Sequence, residues 1–326
     1  MKRLISLLLC ALLIVPALAE DAPDFEPIPW DIKVSPNLPN PDCYLPNNGG
    51  YHDDSIDIQI NVTYWTQDLQ QVDAPGEGTT TVMSARVKLT DVSQFRTCFA
   101  NKYPSKQARH VNDMTKRFNA VMGIDGDYCL YHEQGIVVRN GQTLRMRPHK
   151  GRDELIVDEN GDFHLITCTT QAKWDEYIAG GGTVLHAFCF GPALVVDGVP
   201  LTSLDDVTID NGKAKKAQRM VIGQIGKLEY LILTNEGPES TAPKSVGFDL
   251  VQMANLCVQF GLNNAYNLDG GSSSTIALNN QKINSPSSHK NRMVGDCIWF
   301  ATLVKEETWR EKSKESVQTV EVEENK

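Results

Sequence analysis

Two periods run through the apolar positions of this chain, and the shorter one dominates. Ile56, Ile58, Ile60 and Val62 alternate with Asp57, Gln59 and Asn61, the mark of a half-buried strand. Residues 80–89 predict a second strand, and residues 91–95 a short helical turn. A buried strand over 120–124 ends in Asp125-Gly126-Asp127-Tyr128, which sets two carboxylates around a glycine at a strand end. Residues 135–139 and 143–147 predict a hairpin across Asn140-Gly141, a dipeptide suited to the positive φ angles of a tight turn. Residues 154–157 and 163–167 predict another. From 183 to 198 the pattern gives a strand, a break at Gly191-Pro192 and a second strand. Further apolar runs at 219–223, 230–234, 265–268, 276–278 and 294–303 complete the set of strands.

Helical spacing is rarer. Residues 105–119 carry Met114 and Phe118 on one face, and 173–178 suggest a brief helix. The clearest helix has Leu250, Met253, Ala254, Cys257 and Val258 at i, i+3, i+4, i+7 and i+8, with Gly261 placed to cap its end. Strands thus outnumber helices, and helices are interspersed singly. The expectation is an α+β fold: mixed multi-stranded sheets with a few packed helices, in a single catalytic domain over residues 50–304.

The flanks differ in character. Residues 1–19 read as a signal peptide: Lys2 and Arg3, an apolar run from Leu4 to Val15, and Ala17-Leu18-Ala19 as the cleavage site. That run is too short for a comfortable membrane span, and no other stretch is apolar enough. A secreted bacterial protein with no integral membrane segment in the mature chain is expected. Residues 20–49, rich in Pro, Asn and Asp, read as a linker or an extended arm, and 305–326 as a charged, solvated tail.

Composition narrows the function classes. The chain has 326 residues and a formal charge of −10, and no basic patch is dense enough for nucleic acid. Cys43, Cys98, Cys129, Cys168, Cys189, Cys257 and Cys297 are widely spaced, with no Cys-x-x-Cys pair to make a zinc knuckle. Their apolar surroundings fit buried free thiols better than a disulfide framework, which in an exported chain hints at an anaerobic source.

Candidate chemistry concentrates in Asn267-Leu268-Asp269-Gly270-Gly271-Ser272-Ser273-Ser274-Thr275. It combines a carboxylate, a glycine pair that allows close backbone approach, and a run of hydroxyls able to meet an anion or a sugar. A tight turn whose serines serve only their own backbone would look the same. His186, in an apolar run, reads more readily as a core residue than as a catalytic one.

Several segments taken together resemble, in order, the phosphodiester glycosidase domain family. They are Gly123-Ile124-Asp125-Gly126-Asp127-Tyr128, residues 135–141, residues 186–195, residues 219–223, the helix before Gly261, the stretch 267–275, and Arg292-Met293-Val294-Gly295-Asp296. The resemblance spans about residues 50–304. It implies hydrolysis of the sugar C1–O bond of a glycosyl-1-phosphodiester, in a sugar-phosphate glycan or wall polymer. It also implies a pair of carboxyls drawn from Asp125, Asp127 and Asp269, as glycoside hydrolysis requires. Asp269 would serve as nucleophile, base or sugar ligand, with Asp127 or Asp125 as its partner. His186 would donate to the phosphate or shuttle a proton. Arg139, Arg219 and Arg292 would hold the phosphate, and Asn267, Gly270, Gly271, Ser272 and Ser273 would cradle sugar or phosphate. No cofactor is required and no metal ligand is assigned, although the aspartates leave room for a divalent cation.

This chain departs from the family in three places. Asp125 stands where the family usually has asparagine, Tyr128-Cys129 replace an aromatic pair, and Gln252 stands where a glutamate is common. Two other classes stay open at this point. One is a non-catalytic cell-wall glycan-binding module with the same pocket. The other is a metal-dependent phosphodiesterase, which would need clustered His and Asp ligands, whereas the seven histidines are scattered.

Overall fold

Three antiparallel sheets pack against one another in the computed structural model, which describes residues 25–205, 215–240, 244–285 and 291–311. The expected signal peptide, and the tail beyond residue 311, lie outside the described residues. The large sheet centres on Ile56–Trp65, Thr80–Leu89, Glu229–Asn235, Arg219–Gly226 and Asn264–Asn267, in that spatial order, and continues into Ala193–Val196. The second sheet runs Phe163–Ile166, Glu154–Val157, His186–Phe188, Gly135–Arg139, Gln142–Arg147. The third runs Gln281–Lys282, Ile276–Leu278, Met122–Asp125, Asp296–Phe300, Phe95–Phe99. With the α-helices Val111–Phe118, Gln171–Ala179 and Leu250–Gln259, this is the expected mixed α+β architecture.

The pleat follows the alternation of the sequence. In Ile56–Trp65, Ile56 and Ile58 are buried in the core while Val62 is 47% exposed, because the strand runs past the edge of what covers it. The two strands on either side of Gly191-Pro192 belong to different sheets, the second and the large one, so that break carries the chain from one to the other. The Leu250–Gln259 helix begins with a capping box, in which Asp249 accepts the Gln252 N–H at 2.8 Å and Gln252 Oε1 accepts the Asp249 N–H at 3.2 Å. A glutamate would close the same box, so the departure at Gln252 leaves the helix start intact. Gly261, at φ +80°, ends the helix, and the Leu262 N–H reaches back to the Cys257 carbonyl at 3.0 Å.

One strand, Phe95–Phe99, has no forecast in the pattern. Its second residue, Arg96, is fully buried, and its guanidinium donates to the carbonyls of Ile28, Pro29 and Ile32. The Trp30 ring lies 4.7 Å from that guanidinium. The segment before residue 49 therefore supplies the partners that let an arginine sit inside a sheet. All seven cysteines of the described chain are free thiols, and Cys129, Cys189, Cys257 and Cys297 are buried.

Among the contacts that join the sheets, two stand out. Phe95, in the third sheet, has its ring 6.2 Å from Phe163 of the second, 5.2 Å from Tyr230 of the large sheet and 5.5 Å from Phe300 of its own. Edge-to-face packing of this kind adds to the area buried. The other contact is ionic. Arg139, on the second sheet, reaches Asp296 of the third at 3.0 Å and Asp127 at 3.2 Å. Asp127 also accepts the N–H groups of Cys129 and Cys189, each at 2.9 Å. Burial alone would push the Asp127 carboxyl up, but Arg139, His132 and these N–H groups outweigh it and hold Asp127 below the usual range. Burial and the charge of Asp127 push Asp296 the other way. One guanidinium thus holds an ionised carboxylate and a reluctant one.

Phe95→Ala is expected to cost about 3–5 kcal/mol in urea unfolding, whereas Val62→Ala stays within about 0.5 kcal/mol. Arg139→Ala strands two buried carboxyls and is expected to cost about 3–5 kcal/mol by the same measurement. A loss under about 1 kcal/mol for either buried site would contradict its role as a joint.

Candidate active site

The third and large sheets meet where Met122–Asp125 and Asn264–Asn267 end. The stretch after Asn267 is pinned to the other strand end by three backbone-directed bonds. The Asp269 N–H donates to the Gly126 carbonyl at 3.1 Å, and the Asp125 N–H to the Thr275 carbonyl at 3.3 Å. The Thr275 N–H returns to Asp125 Oδ1 at 2.8 Å. The glycine pair is needed for two separate reasons. A Cβ on Gly270 would lie 2.9 Å from the Gln218 carbonyl oxygen, and Gly271 takes φ +63°.

Two carboxyls stand at this junction at different depths. Asp125 is wholly buried, and burial followed by the negative charge of Asp269 pushes its pKa well above the usual range. Asp269 is 9% exposed, and burial pushes it up to about 6, with Ser273, Arg292 and the Gly270 N–H favouring the ionised form. The Ser273 hydroxyl does this without an aligned hydrogen bond. Burial thus favours the acid form more strongly at the deep carboxyl than at the outer one, the kind of split that separates acid from base in paired-carboxyl sites. A neutral Asp125 offers one acceptor, used by Thr275, and one O–H donor. That is the pattern of the amide the resembled family carries there.

Unpartnered polar atoms gather around the pair. Asp125 Oδ2, Glu236 Oε2, Asn267 Oδ1 and the hydroxyls of Ser273, Ser274 and Thr275 are all buried and make no hydrogen bond. Each such atom costs roughly 1–3 kcal/mol where it stays unpaired, so their concentration at two strand ends marks a place built to take a polar ligand.

Two residues here carry no signal in the sequence pattern. Glu236 follows the strand Glu229–Asn235 in what reads as a plain polar loop. It is 7% exposed, its Oε1 accepts the Ser285 N–H at 2.9 Å, and burial pushes its carboxyl up to about 7. Lys282 lies on the edge strand Gln281–Lys282, its Nζ 3.4 Å from the Ser274 carbonyl. Burial lowers its pKa, while Asp125 and Glu236 favour its charged form.

The other expected site residues are placed as follows. Asp127 has both oxygens engaged by Arg139 and two N–H groups, and Arg139 is held between Asp127 and Asp296. Gly126 packs on that group so closely that a Cβ would meet the Asp296 carboxylate at 2.5 Å. His186 is enclosed by Phe95, Phe188 and Trp30. Its Nδ1 accepts the Asn140 N–H at 3.2 Å and its Nε2 faces the Phe95 carbonyl at 3.4 Å. Burial and Arg139 hold it neutral, with its pKa well below the usual range. Arg219 donates to the carbonyls of Phe248 at 3.4 Å and Lys215 at 2.6 Å. Arg292 is exposed, 5.6 Å from the Tyr128 ring centre and near enough to act on Asp269. Asn267 donates to the Gly191 carbonyl at 2.8 Å. Ser272 is half-buried beside the fully buried Ser273. The N–H groups of Gly270 and Gly271 already bond Asp269 Oδ1 at 2.9 Å and the Gln218 carbonyl at 2.8 Å. The structure thus brings Asp125, Asp269, Asn267, Ser273 and Arg292 to one cluster. Asp127, Arg139 and His186 lie in the framework behind it.

Among the described residues, the one trio of metal-ligand types with close donor atoms is Asp127, Cys129 and Asp296, within 4.8 Å of one another. The Arg139 guanidinium already sits on both carboxylates, and burial keeps Cys129 a neutral thiol. That donor set does not fit a divalent cation, which needs several free oxygen ligands and no fixed positive charge among them.

Curated protein sequences give no match to this chain. Among solved structures, the catalytic domain of zebrafish N-acetylglucosamine-1-phosphodiester alpha-N-acetylglucosaminidase, auto-inhibited by its pro-peptide, superposes with a TM-score of 0.59 at 14% identity. That match covers 76% of this chain and 84% of that one. A hypothetical protein from Synechocystis gives a TM-score of 0.51 at 14% identity, over 76% of this chain and 62% of that one. Likenesses at this identity establish the fold. The sequence model for phosphodiester glycosidase matches residues 118–301, more than half of the chain and the whole stretch from Asp125 to Lys282, and the chain belongs to the phosphodiester glycosidase family.

Proposed function

We propose that this protein is an exported hydrolase that cleaves the sugar C1–O bond of a glycosyl-1-phosphodiester. Family membership supports hydrolysis of phosphodiester-linked sugars, and the zebrafish neighbour is named for that class of substrate. The observation that carries the reading is the carboxyl pair, with Asp125 fully buried and pushed towards its acid form, Asp269 less deep beside it, and unpartnered hydroxyls around both.

The roles follow from charge. A carboxylate at Asp269 stabilises positive charge as it develops at C1, as nucleophile or as base towards water. Neutral Asp125 donates to a sugar hydroxyl, and Asn267, Ser273 and Ser274 supply further partners. The departing phosphate is already an anion, so it needs less protonation than an alkoxide would. Arg292, at the exposed rim beside Asp269, is placed to meet it.

Hydrolysis of a sugar-1-phosphodiester in ¹⁸O-water should place the label on the sugar. Label on the phosphate would mean P–O cleavage, and sugar binding without turnover would mean a glycan-binding module. Asp269→Asn should lower kcat by at least about a hundredfold with the fold intact. Full activity in that variant would remove Asp269 from the reaction.

Asp125→Asn keeps the donor–acceptor pattern and should stay within about tenfold of the parent. It should also change stability against pH. Unfolded chains lose the Asp125 proton from about pH 4, whereas the folded chain keeps it, so folding stability falls as pH rises through that interval. In thermal melts the variant should match the parent near pH 4 and exceed it near pH 8. The reverse order would show that Asp125 is ionised in the folded protein.

A further inference from the structure

Of the three arginines expected to hold phosphate, Arg139 is enclosed by two carboxylates, Arg219 donates to two main-chain carbonyls, and Arg292 stands at the exposed rim on the Asp269 side. The positive charge nearest the deep carboxyl is instead Lys282. Its neighbours Asp125 and Glu236 act on it through space, and among the described residues no carboxylate lies within ion-pair distance of its Nζ. Glu236 faces the same space with Oε2 unpartnered, since Ser285 takes only Oε1. Short contacts tie this pair to the Asp269 stretch. Gln218 Nε2 donates to the Ser285 carbonyl at 3.0 Å, the Gly271 N–H donates to the Gln218 carbonyl at 2.8 Å, and Lys282 Nζ approaches the Ser274 carbonyl.

Building on the C1–O cleavage reading, we propose that Lys282 holds the departing phosphate and that Glu236 is the acid that protonates it. As the C1–O bond breaks, its electron pair passes to the phosphate oxygen, and the singly charged diester becomes a doubly charged monoester. Glu236 Oε2–H gives its proton to that phosphate, leaving a monoester monoanion and a carboxylate beside Lys282. Water supplies the hydroxyl to C1 and the proton that restores Glu236. The chemistry is matched in acidity. A phosphate monoester dianion takes up one proton with a pKa near 6, and burial pushes the Glu236 carboxyl up to about 7, whereas an ordinary glutamate would be ionised and would repel the phosphate. Asp125, pushed by burial towards its acid form, opposes the phosphate less than an exposed carboxylate would.

The test compares two substrates with the same sugar, N-acetylglucosamine 1-(methyl phosphate) and α-N-acetylglucosaminyl fluoride, since fluoride leaves without a proton. Glu236→Gln should lower kcat on the phosphodiester about a hundredfold and leave hydrolysis of the fluoride within about threefold. Equal losses on both would reduce Glu236 to a structural part, and no loss on either would remove it. Lys282→Met should weaken binding of inorganic phosphate at least about tenfold by titration calorimetry. Unchanged phosphate affinity overturns the role of Lys282. If the parent protein hydrolyses neither substrate, the C1–O reading fails for this sugar, and the phosphate titration still decides whether Lys282 is an anion site.

Discussion

The contact on which the site depends is the guanidinium of Arg139 between Asp127 and Asp296. A buried charge is tolerated only where its partners are fixed, and here the guanidinium comes from the second sheet while both partners belong to the third or follow directly on its strand Met122–Asp125. The segment Asp125-Gly126-Asp127 is clamped at its far end by this pair and by the close packing of Gly126 on Asp296. Because the Asp269 N–H bonds the Gly126 carbonyl, the same clamp sets where Asp269 sits. The ionic group is therefore behind the chemistry, and its rigidity reaches the front through one short stretch of backbone.

Burial has opposite effects on the two sides of that stretch. Behind it, Arg139 overrides desolvation and keeps Asp127 charged. In front, no cation is close enough to do so, and Asp125, Asp269 and Glu236 all rise. Similar residues in similar depth thus divide into an ion pair and a set of weak acids. The weak acids and the unpartnered hydroxyls lower stability, and a large shared core offsets them.

Most strands could be read from alternation alone, because Ile56, Ile58 and their like bury one face of a pleat. Which sheet each strand joins could not. Nothing local says that His186–Phe188 and Ala193–Val196 part company at Gly191-Pro192. Phe95–Phe99 was hidden because Arg96 is buried by partners from residues 28–32, far outside any window that reads periodicity. The same holds for the site. The 267–275 stretch was visible through its unusual letters. Arginines were legible as charges but not as framework, since Arg139 and Arg219 reveal their partners only in three dimensions. Glu236 and Lys282 have no local signature, and each acquires meaning from the other across forty-odd residues.

The ring of Phe95 touches the strands Phe163–Ile166, Glu229–Asn235 and Asp296–Phe300, so its neighbours are spread over most of the described chain. Contacts of such long range are gained only after long loops have closed, which places this topology among the slow folders. Among the described residues Asp296–Phe300 is the last strand in sequence, yet it lies between Met122–Asp125 and Phe95–Phe99 in the third sheet. A chain growing from its N-terminus must keep those two strands apart, with open edges, until its final strand emerges to fill the gap. Only then can Asp296 meet Arg139, so the clamp behind the candidate site closes late.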